Sequence, residues 1–191
     1  MTAKVLRASE RPAVPWLNGG GVTREVAGGP AGSGMADFDW RVSLADVDRG
    51  GPFSLFPGVD RVITLVEGEG MVLTVDGAEQ AVTVPFRPFA FPGDSTTDCR
   101  LAAGPVVDFN VMTRRGRTAA EVEIADDGRA VEVPDDAVLL AVCLAGSAAL
   151  GSAGVRLDRY DAVLLTAGTD RLEIDGVAAL VTIRRTVGRT D

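Results

Sequence analysis

Short apolar segments run along most of the chain, and turn residues separate them. Val, Leu, Ile, Phe and Thr dominate the segments, whereas Asp-Gly, Pro-Gly and other Gly-rich sequences lie between them. Alternation of apolar and polar positions with a period of two is typical of half-buried β-strands, and Asp-Gly between strands favours tight hairpins. Strands this short and this numerous predict an all-β sandwich or barrel. The predicted strands cover residues 22–27, 38–46, 61–67, 71–75, 80–84, 88–91, 99–102, 106–113, 120–124, 138–145, 155–157, 162–165, 171–174 and 178–186.

The two halves of the chain carry related patterns of strands and turns. Residues 62–70 resemble residues 139–146, and an offset of about 76 residues of this kind indicates a duplicated unit. We therefore expect two small antiparallel β-units packed together, one over residues 1–115 and the other over residues 116–191. The shared order of strands and turns resembles a cupin, which is a small jelly-roll barrel, so a bicupin is the expected fold.

The charge balance and the missing histidine narrow the classes of function. Acidic residues outnumber basic ones by 27 to 19, and the net charge is -8, which argues against binding to nucleic acid or to anionic membranes. The chain contains no histidine, so a Ser-His-Asp or Cys-His catalytic site is excluded. Because Cys99 and Cys143 are far apart in sequence, a zinc site is not expected either. We expect neither a metal nor another cofactor.

The start of the chain, the lengths of its apolar runs and its cysteines bear on the cellular location. No apolar segment follows Met1, and no apolar run approaches the roughly 20 residues of a membrane-spanning helix. Both cysteines are interpreted as free thiols, and Cys143 as a small core residue. These observations together predict a cytoplasmic protein.

Three consecutive glycines, Gly19 to Gly21, follow Trp16 and precede a polar segment. Glycine permits positive φ, and it lets the backbone approach a ligand or another segment closely. A phosphate-binding Walker loop needs a Lys followed by Ser or Thr and then a helix, whereas residues 22–26 are predicted to form a strand. We interpret the glycines as a loop that passes close to a pocket or to a partner subunit.

Two predicted strands alternate polar with apolar residues. In residues 38–46, Asp39, Arg41 and Ser43 share one face, and in residues 106–113 Asp108 and Asn110 do the same. Such a polar face either meets solvent or lines a pocket. If it lies inside the barrel, its buried polar groups require hydrogen-bond partners, and a ligand is one possible source.

Five sequence blocks together resemble the HutD/Ves family, in order and in spacing. The resemblance implies a bacterial bicupin linked to histidine utilisation, in which the family is thought to restrain or tune the pathway. It also implies binding of a small acidic metabolite such as formylated or formiminated glutamate, or urocanate, and no established reaction. At Leu17 this chain departs from the family, which usually carries a basic residue there. The matching blocks are residues 16–25, 38–46, 51–61, 88–94 and 108–114.

Our main hypothesis is a metal-free binding protein for a small carboxylate ligand, which is held in the N-terminal barrel. Arginines would supply positive charge, polar side chains would fix orientation, and aromatic rings would form the walls. These residues are Arg24, Arg41 and Arg61 for charge, Asn18, Thr23, Asp108 and Asn110 for orientation, and Trp16, Trp40 and Phe91 for the walls.

Two alternatives stay open. In the first, the protein is a cofactor-independent isomerase, cyclase or lyase, and Glu25, Glu67 or Asp108 acts as the acid or base after burial has shifted its pKa. In the second, it is a structural interaction module, and the glycine loop lies at the interface of a homodimer.

Overall fold

The computed structural model describes residues 2–151 and 154–186, and Met1, residues 152–153 and residues 187–191 lie outside the described residues. β-Strands make up most of the described chain, and a 3₁₀ turn at Ala8–Glu10 is the only helical element within it. The all-β prediction is therefore confirmed. Across the same described ranges, no helix is long and apolar enough to cross a membrane.

The strands are numbered in chain order. They are β1 (Thr2–Leu6), β2 (Val14–Pro15), β3 (Gly21–Gly29), β4 (Trp40–Val47), β5 (Gly51–Pro52), β6 (Val59–Glu67), β7 (Met71–Val75), β8 (Ala78–Val82), β9 (Phe89–Pro92), β10 (Thr97–Leu101), β11 (Val106–Arg114), β12 (Thr118–Ala125), β13 (Arg129–Val133), β14 (Ala137–Leu150), β15 (Val155–Leu157), β16 (Ala162–Thr166) and β17 (Gly168–Arg185).

The chain divides into two compact units. One comprises residues 12–115, which we call the first unit. The other, the second unit, comprises residues 116–186 together with residues 2–11. The N-terminal segment belongs to the second unit because β1 pairs with β16 along its whole length, a long-range pairing that hydrophobic periodicity does not reveal.

In the second unit, β14 and β17 are longer than the sequence pattern predicts. They pair from Ala137 to Leu150 with one irregularity between Cys143 and Ala145. There Gly146 lies opposite Gly176, and a Cβ on Gly146 would come within 2.0 Å of the carbonyl oxygen of Asp175. The predicted break between strands 171–174 and 178–186 is therefore wrong, because β17 is continuous there. The glycines let two continuous strands pass each other closely.

The first unit contains two antiparallel sheets. One has six strands in the order β2-β3-β4-β11-β6-β9, and the other has four in the order β5-β10-β7-β8. Apolar side chains from both sheets form one core, which includes Ile63 and Leu65 from β6, Leu73 from β7 and Cys99 from β10. The two sheets therefore pack face to face, and the inner face of each is defined by the residues in this core.

Strand β11 lies in the middle of the six-stranded sheet, between β4 and β6. Asp108 lies opposite Ala45 on β4 and Leu65 on β6, and both of these belong to the core. Residues that lie directly opposite each other share a face of the sheet, and every second residue of a strand returns to that face. The inner face of the sandwich therefore carries a polar group of residues among apolar ones.

Candidate functional site

The candidate residues separate into two faces of the six-stranded sheet and one loop. The inner face includes Met112, which lies opposite both Arg41 and Arg61, and Asn110, which lies opposite Ser43. Pairing along the sheet places further candidates on that face. The inner-face candidates are Thr23, Glu25, Arg41, Arg61, Phe91, Asp108 and Asn110.

Three aromatic rings surround the guanidinium of Arg61. Its central carbon lies 4.9 Å from the ring centre of Phe91, 5.2 Å from that of Phe53 and 5.6 Å from that of Phe56. Phe91 stands directly opposite Arg61 on β9, whereas Phe53 and Phe56 come from the loop between β5 and β6. Faces of aromatic rings attract a cation at these distances.

Backbone hydrogen bonds hold the two phenylalanines of this loop in place. The N–H of Phe53 donates to the carbonyl of Thr97 at 2.9 Å, and that of Phe56 donates to the carbonyl of Gly93 at 2.8 Å. A Cβ at Gly93 would lie 2.8 Å from the carbonyl oxygen of Phe56, so the Pro-Gly-Asp corner after β9 requires glycine there. The block at residues 51–61 and the block at residues 88–94 thus build one aromatic environment around Arg61.

Arg61 is a buried cation without a polar partner. Only 7% of the residue is exposed. Its guanidinium forms no hydrogen bond and no ion pair of 4.0 Å or less with any described residue, and its Nε atom is buried without a partner. Burial lowers the pKa of the guanidinium to about 10, while the charge of Asp108 raises that pKa and the charge of Arg41 lowers it further. An arginine normally buries its charge only with a carboxylate or phosphate beside it.

Asp108 and Asn110 are buried on the same face, with exposed fractions of 3% and 8%. Burial raises the pKa of the Asp108 carboxyl to about 7; the charge of Arg61 opposes this rise, and that of Asp46 adds to it. The side chain of Asp108 forms no hydrogen bond and no ion pair with a described residue, and the Oδ1 atom of Asn110 is buried without a partner. These groups and Arg61 form a polar region inside an apolar core.

Arg41 and Glu25 form an ion pair on the inner face. The Nε atom of Arg41 donates to Oε2 of Glu25 at 2.7 Å, and the side chains are 13% and 50% exposed. The carboxylate of Glu25 is therefore half in solvent and paired with a cation. Arg41 is the deeper of the two, and its charge acts on Arg61.

Arg24 and Trp40 lie on the opposite face of the sheet. Arg24 stands opposite Leu44 and forms an ion pair with Asp46. Trp40 covers Gly29 so closely that a Cβ there would lie 2.2 Å from the indole nitrogen of Trp40. The structure does not bring these two candidates together with Arg61.

The glycine loop connects β2 to β3 in a hairpin. The indole N–H of Trp16 donates to the hydroxyl of Thr23 at 2.7 Å, and the ring packs edge-on against Phe53 with centres 6.4 Å apart. Asn18 is exposed, and its Oδ1 accepts a hydrogen bond from the N–H of Gly20 at 2.9 Å. A Cβ on Gly21 would lie 2.4 Å from the carbonyl oxygen of Asp46. The glycines thus permit close backbone packing, and Trp16 joins the loop to the rings around Arg61.

Glu67 lies at the end of β6, opposite Val107, where the pairing register shifts before Asp108. It is partly buried. Cys99, which the sequence did not indicate as part of the site, is buried in the four-stranded sheet, and burial together with the charge of Asp108 raises the pKa of its thiol to about 12. Within residues 2–151 and 154–186, no group of three His, Cys, Asp or Glu residues is placed to hold a metal ion.

Comparisons with known proteins match nearly the whole chain. The HutD family model matches residues 8–182. A Pseudomonas putida relative, named as an uncharacterized 21.2 kDa protein in the hutC 3' region, is 36% identical over 184 residues, which cover 93% of this chain and 95% of the relative. Protein Ves from Citrobacter koseri is 45% identical over 112 residues, or 58% of each chain.

A solved structure agrees with these sequence matches. HutD from Pseudomonas fluorescens SBW25 superposes with a TM-score of 0.86 at 35% identity, and the match covers 97% of this chain and all of that one, at 100%. Sequence and structure thus indicate the same relatives along both units. The chain belongs to the HutD/Ves family.

Proposed function

We propose that the protein binds a small carboxylate-bearing metabolite inside its first unit, with the carboxylate on Arg61. The observation that carries this proposal is the buried Arg61 guanidinium, which has no hydrogen bond or ion pair among the described residues. A planar guanidinium binds a carboxylate through two parallel hydrogen bonds, and this geometry suits arginine better than lysine. A carboxylate ligand supplies the partner that the chain itself does not.

Arg41, the second cation of the inner face, is an argument for an anionic ligand. Arg41 lowers the pKa of Arg61 because the two positive charges repel each other in a region of low polarity. An anion bound at Arg61 reduces this repulsion, whereas a neutral molecule leaves it unchanged. Arg41 itself is held by Glu25 at 2.7 Å, so its position is set before the ligand arrives.

Family relationships suggest the metabolic setting. The Pseudomonas putida relative is named for its position in the hutC 3' region, and the solved relative is HutD. We infer that this chain also acts in histidine utilisation and tunes the pathway by binding one of its acidic intermediates. Formylated or formiminated glutamate and urocanate are the candidates.

We also infer that the protein is a bicupin and that it is cytoplasmic. The two antiparallel sheets of the first unit and the long antiparallel pair β14 and β17 of the second support two small jelly-roll barrels, which make a bicupin. Cys99 and Cys143 are buried free thiols, and free thiols support a reducing, cytoplasmic setting.

Isothermal titration calorimetry on the full chain tests the proposal. The three candidate intermediates should bind at micromolar to low-millimolar concentration, and Arg61→Gln should abolish binding. Arg24→Gln is the matched control, because Arg24 lies on the opposite face with its own partner, Asp46. If none of the three binds at millimolar concentration, or if Arg61→Gln binds as wild type does, the proposal is wrong.

A second candidate function rests on Asp108. A buried carboxyl with a pKa of about 7 is suited to accept or donate a proton near neutral pH, as a general acid or base does. We infer from this that a cofactor-independent isomerase or lyase is the alternative. Nuclear magnetic resonance of the same intermediates incubated with the protein would reveal turnover; turnover that survives Asp108→Asn would exclude this role.

A further inference from the structure

Asp108 and Asn110 are two acceptor-bearing side chains, two residues apart on the central strand of the six-stranded sheet. Both face the core, and both are more than nine-tenths buried. Among the described residues, neither side chain receives a hydrogen bond, and Oδ1 of Asn110 has no contact with solvent. Buried polar atoms in folded proteins almost always have a partner, so this pair is exceptional.

The surroundings of these acceptors explain why the chain does not satisfy them. Their direct neighbours on the inner face are apolar or small: Ala45 and Leu65 beside Asp108, and Ser43 and Ile63 beside Asn110. No N–O distance between Arg61 and Asp108 is 4.0 Å or shorter, yet Asp108 is the strongest charge acting on Arg61. A cation and an anion therefore stand near each other in the same interior without touching.

We propose that the bound molecule carries, besides its carboxylate, an N–H group that it donates to Asp108 and Asn110. This proposal rests on the proposed function, since it assumes that the carboxylate of the ligand binds Arg61. The ligand would then contact Arg61 at its anionic end and β11 at its nitrogen end. The guanidinium of Arg61 would then donate to the ligand carboxylate, and the oxygens of Asp108 and Asn110 would accept from the ligand N–H.

The N–H group has two chemical sources. A neutral amide or imidazole N–H donates a hydrogen bond without carrying charge, whereas an ammonium also neutralises an ionised Asp108. Both satisfy the carboxylate oxygen, and a donor to a charged acceptor stabilises binding more than a donor to a neutral one. The arms of the experiment distinguish them.

Pairs of carboxylates with and without an N–H donor test the proposal on the wild-type protein. N-acetylglycine is compared with N-acetyl-N-methylglycine, and imidazole-4-acetate with phenylacetate, while β-alanine serves as the ammonium probe. Loss of a hydrogen bond to a buried charged group costs roughly one to two powers of ten in affinity. We therefore expect calorimetry to show the N–H member of each pair binding about ten- to hundredfold more tightly.

Variants of Asp108 test whether that preference depends on its carboxylate. Asp108→Leu should remove the discrimination within each pair and leave binding of phenylacetate intact, whereas Asp108→Asn should keep it for N-acetylglycine and lose binding of β-alanine. Thr64→Val is the matched control: the Thr64 hydroxyl is also buried without a partner, but Thr64 pairs with Phe109 on the other face. It should leave all affinities unchanged.

The outcomes separate this proposal from the proposed function. If both members of each pair bind equally and Arg61→Gln abolishes both, the carboxylate site stands and the N–H proposal is wrong. If no probe binds, both are wrong. If the preference for N–H persists in correctly folded Asp108→Leu, the donor goes elsewhere and the proposal is overturned. Because the pair comparison uses wild-type protein, it does not depend on any variant folding.

Discussion

Replacing Arg61 by Met should stabilise the ligand-free protein, although it removes a charged side chain from the centre of the site. Burial lowers the pKa of Arg61 from the ordinary value of an arginine to about 10. Since one pKa unit corresponds to about 1.4 kcal/mol, holding the charged guanidinium in the folded state costs about 3 kcal/mol. Methionine has a similar unbranched stem and no charge, so it avoids this cost and fills the same space.

The aromatic rings offset part of that cost. A desolvated cation on the face of a ring gains about 1–2 kcal/mol, and Arg61 loses this attraction to Phe53, Phe56 and Phe91 when it becomes Met. The difference leaves a net gain of about 1–2 kcal/mol for Arg61→Met. For a unit of about 100 residues, such a gain corresponds to a rise in melting temperature of several degrees.

Tryptophan fluorescence during urea unfolding measures this change in the unfolding free energy of the first unit. The chain contains two tryptophans, Trp16 and Trp40, and both belong to the first unit, so the signal reports unfolding of the unit that holds Arg61. Arg24→Met is the control, since a half-exposed ion pair such as Arg24–Asp46 contributes about 0–1 kcal/mol. Its unfolding free energy should stay the same or fall slightly.

With ligand bound, wild type should be more stable than Arg61→Met. A saturating carboxylate that binds Arg61 stabilises wild type by about 2.7 kcal/mol at a hundredfold excess over Kd and leaves Arg61→Met unaffected. If the variant instead loses more than about 1 kcal/mol without ligand, Arg61 has a partner in solution and the argument from an unpaired charge fails.

Three further predictions use the same unit. Folding raises the pKa of Asp108 from 3.8 to about 7, so wild type should lose up to roughly 4 kcal/mol of unfolding free energy as pH rises from about 4 to about 7. Asp108→Asn should flatten this pH profile, which urea unfolding measures. Equal profiles for wild type and variant would disprove the burial of the charge. Gly21→Ala places a Cβ 2.4 Å from the carbonyl oxygen of Asp46 and should cost about 1–3 kcal/mol, whereas Gly34→Ala, whose nearest contact is 3.7 Å away, should cost almost nothing. Since burial raises the pKa of the Cys99 thiol to about 12, iodoacetamide at pH 8 should label it only after unfolding, as peptide mass spectrometry would show; rapid labelling of native protein would contradict its burial.

Alternation along single strands predicted much of the fold and part of the site. Placing Asp108 and Asn110 on one face needed only the period of two, and the register confirms that they share it. The pattern missed the two-residue strands β2 and β5, and also β1 and β13, whose pairing partners lie far along the chain. It also divided β17 at Asp175-Gly176, since a close approach of two strands and a hairpin turn both favour glycine.

Which face of a strand meets the core is not contained in its own alternation. Arg24 and Glu25 are neighbours in sequence, and only the pairing of β3 with β4 shows that Glu25 shares the face of Asn110 while Arg24 does not. The environment of Arg61 was equally hidden. Phe53 and Phe56 lie in a loop, where no periodicity applies, and their contact with Arg61 depends on hydrogen bonds to residues some 40 positions away along the chain.

Arg61 and Asp108 differ from Arg24 and Arg41 of the same unit in how their charges are paired. Arg24 and Arg41 each have a carboxylate partner, so the chain contains enough acidic residues to pair its arginines. Arg61 and Asp108 are more deeply buried than either of these arginines, and they stabilise each other's charge only through space. A direct ion pair between them would lower both desolvation costs and leave no site for a ligand. Keeping them apart makes the ligand-free protein less stable, but it leaves a cation and an acceptor on the same inner face without a direct partner among the described residues. A molecule that carries an anionic group and a donor group recovers both costs at once, so the selectivity of the site should depend on both groups together.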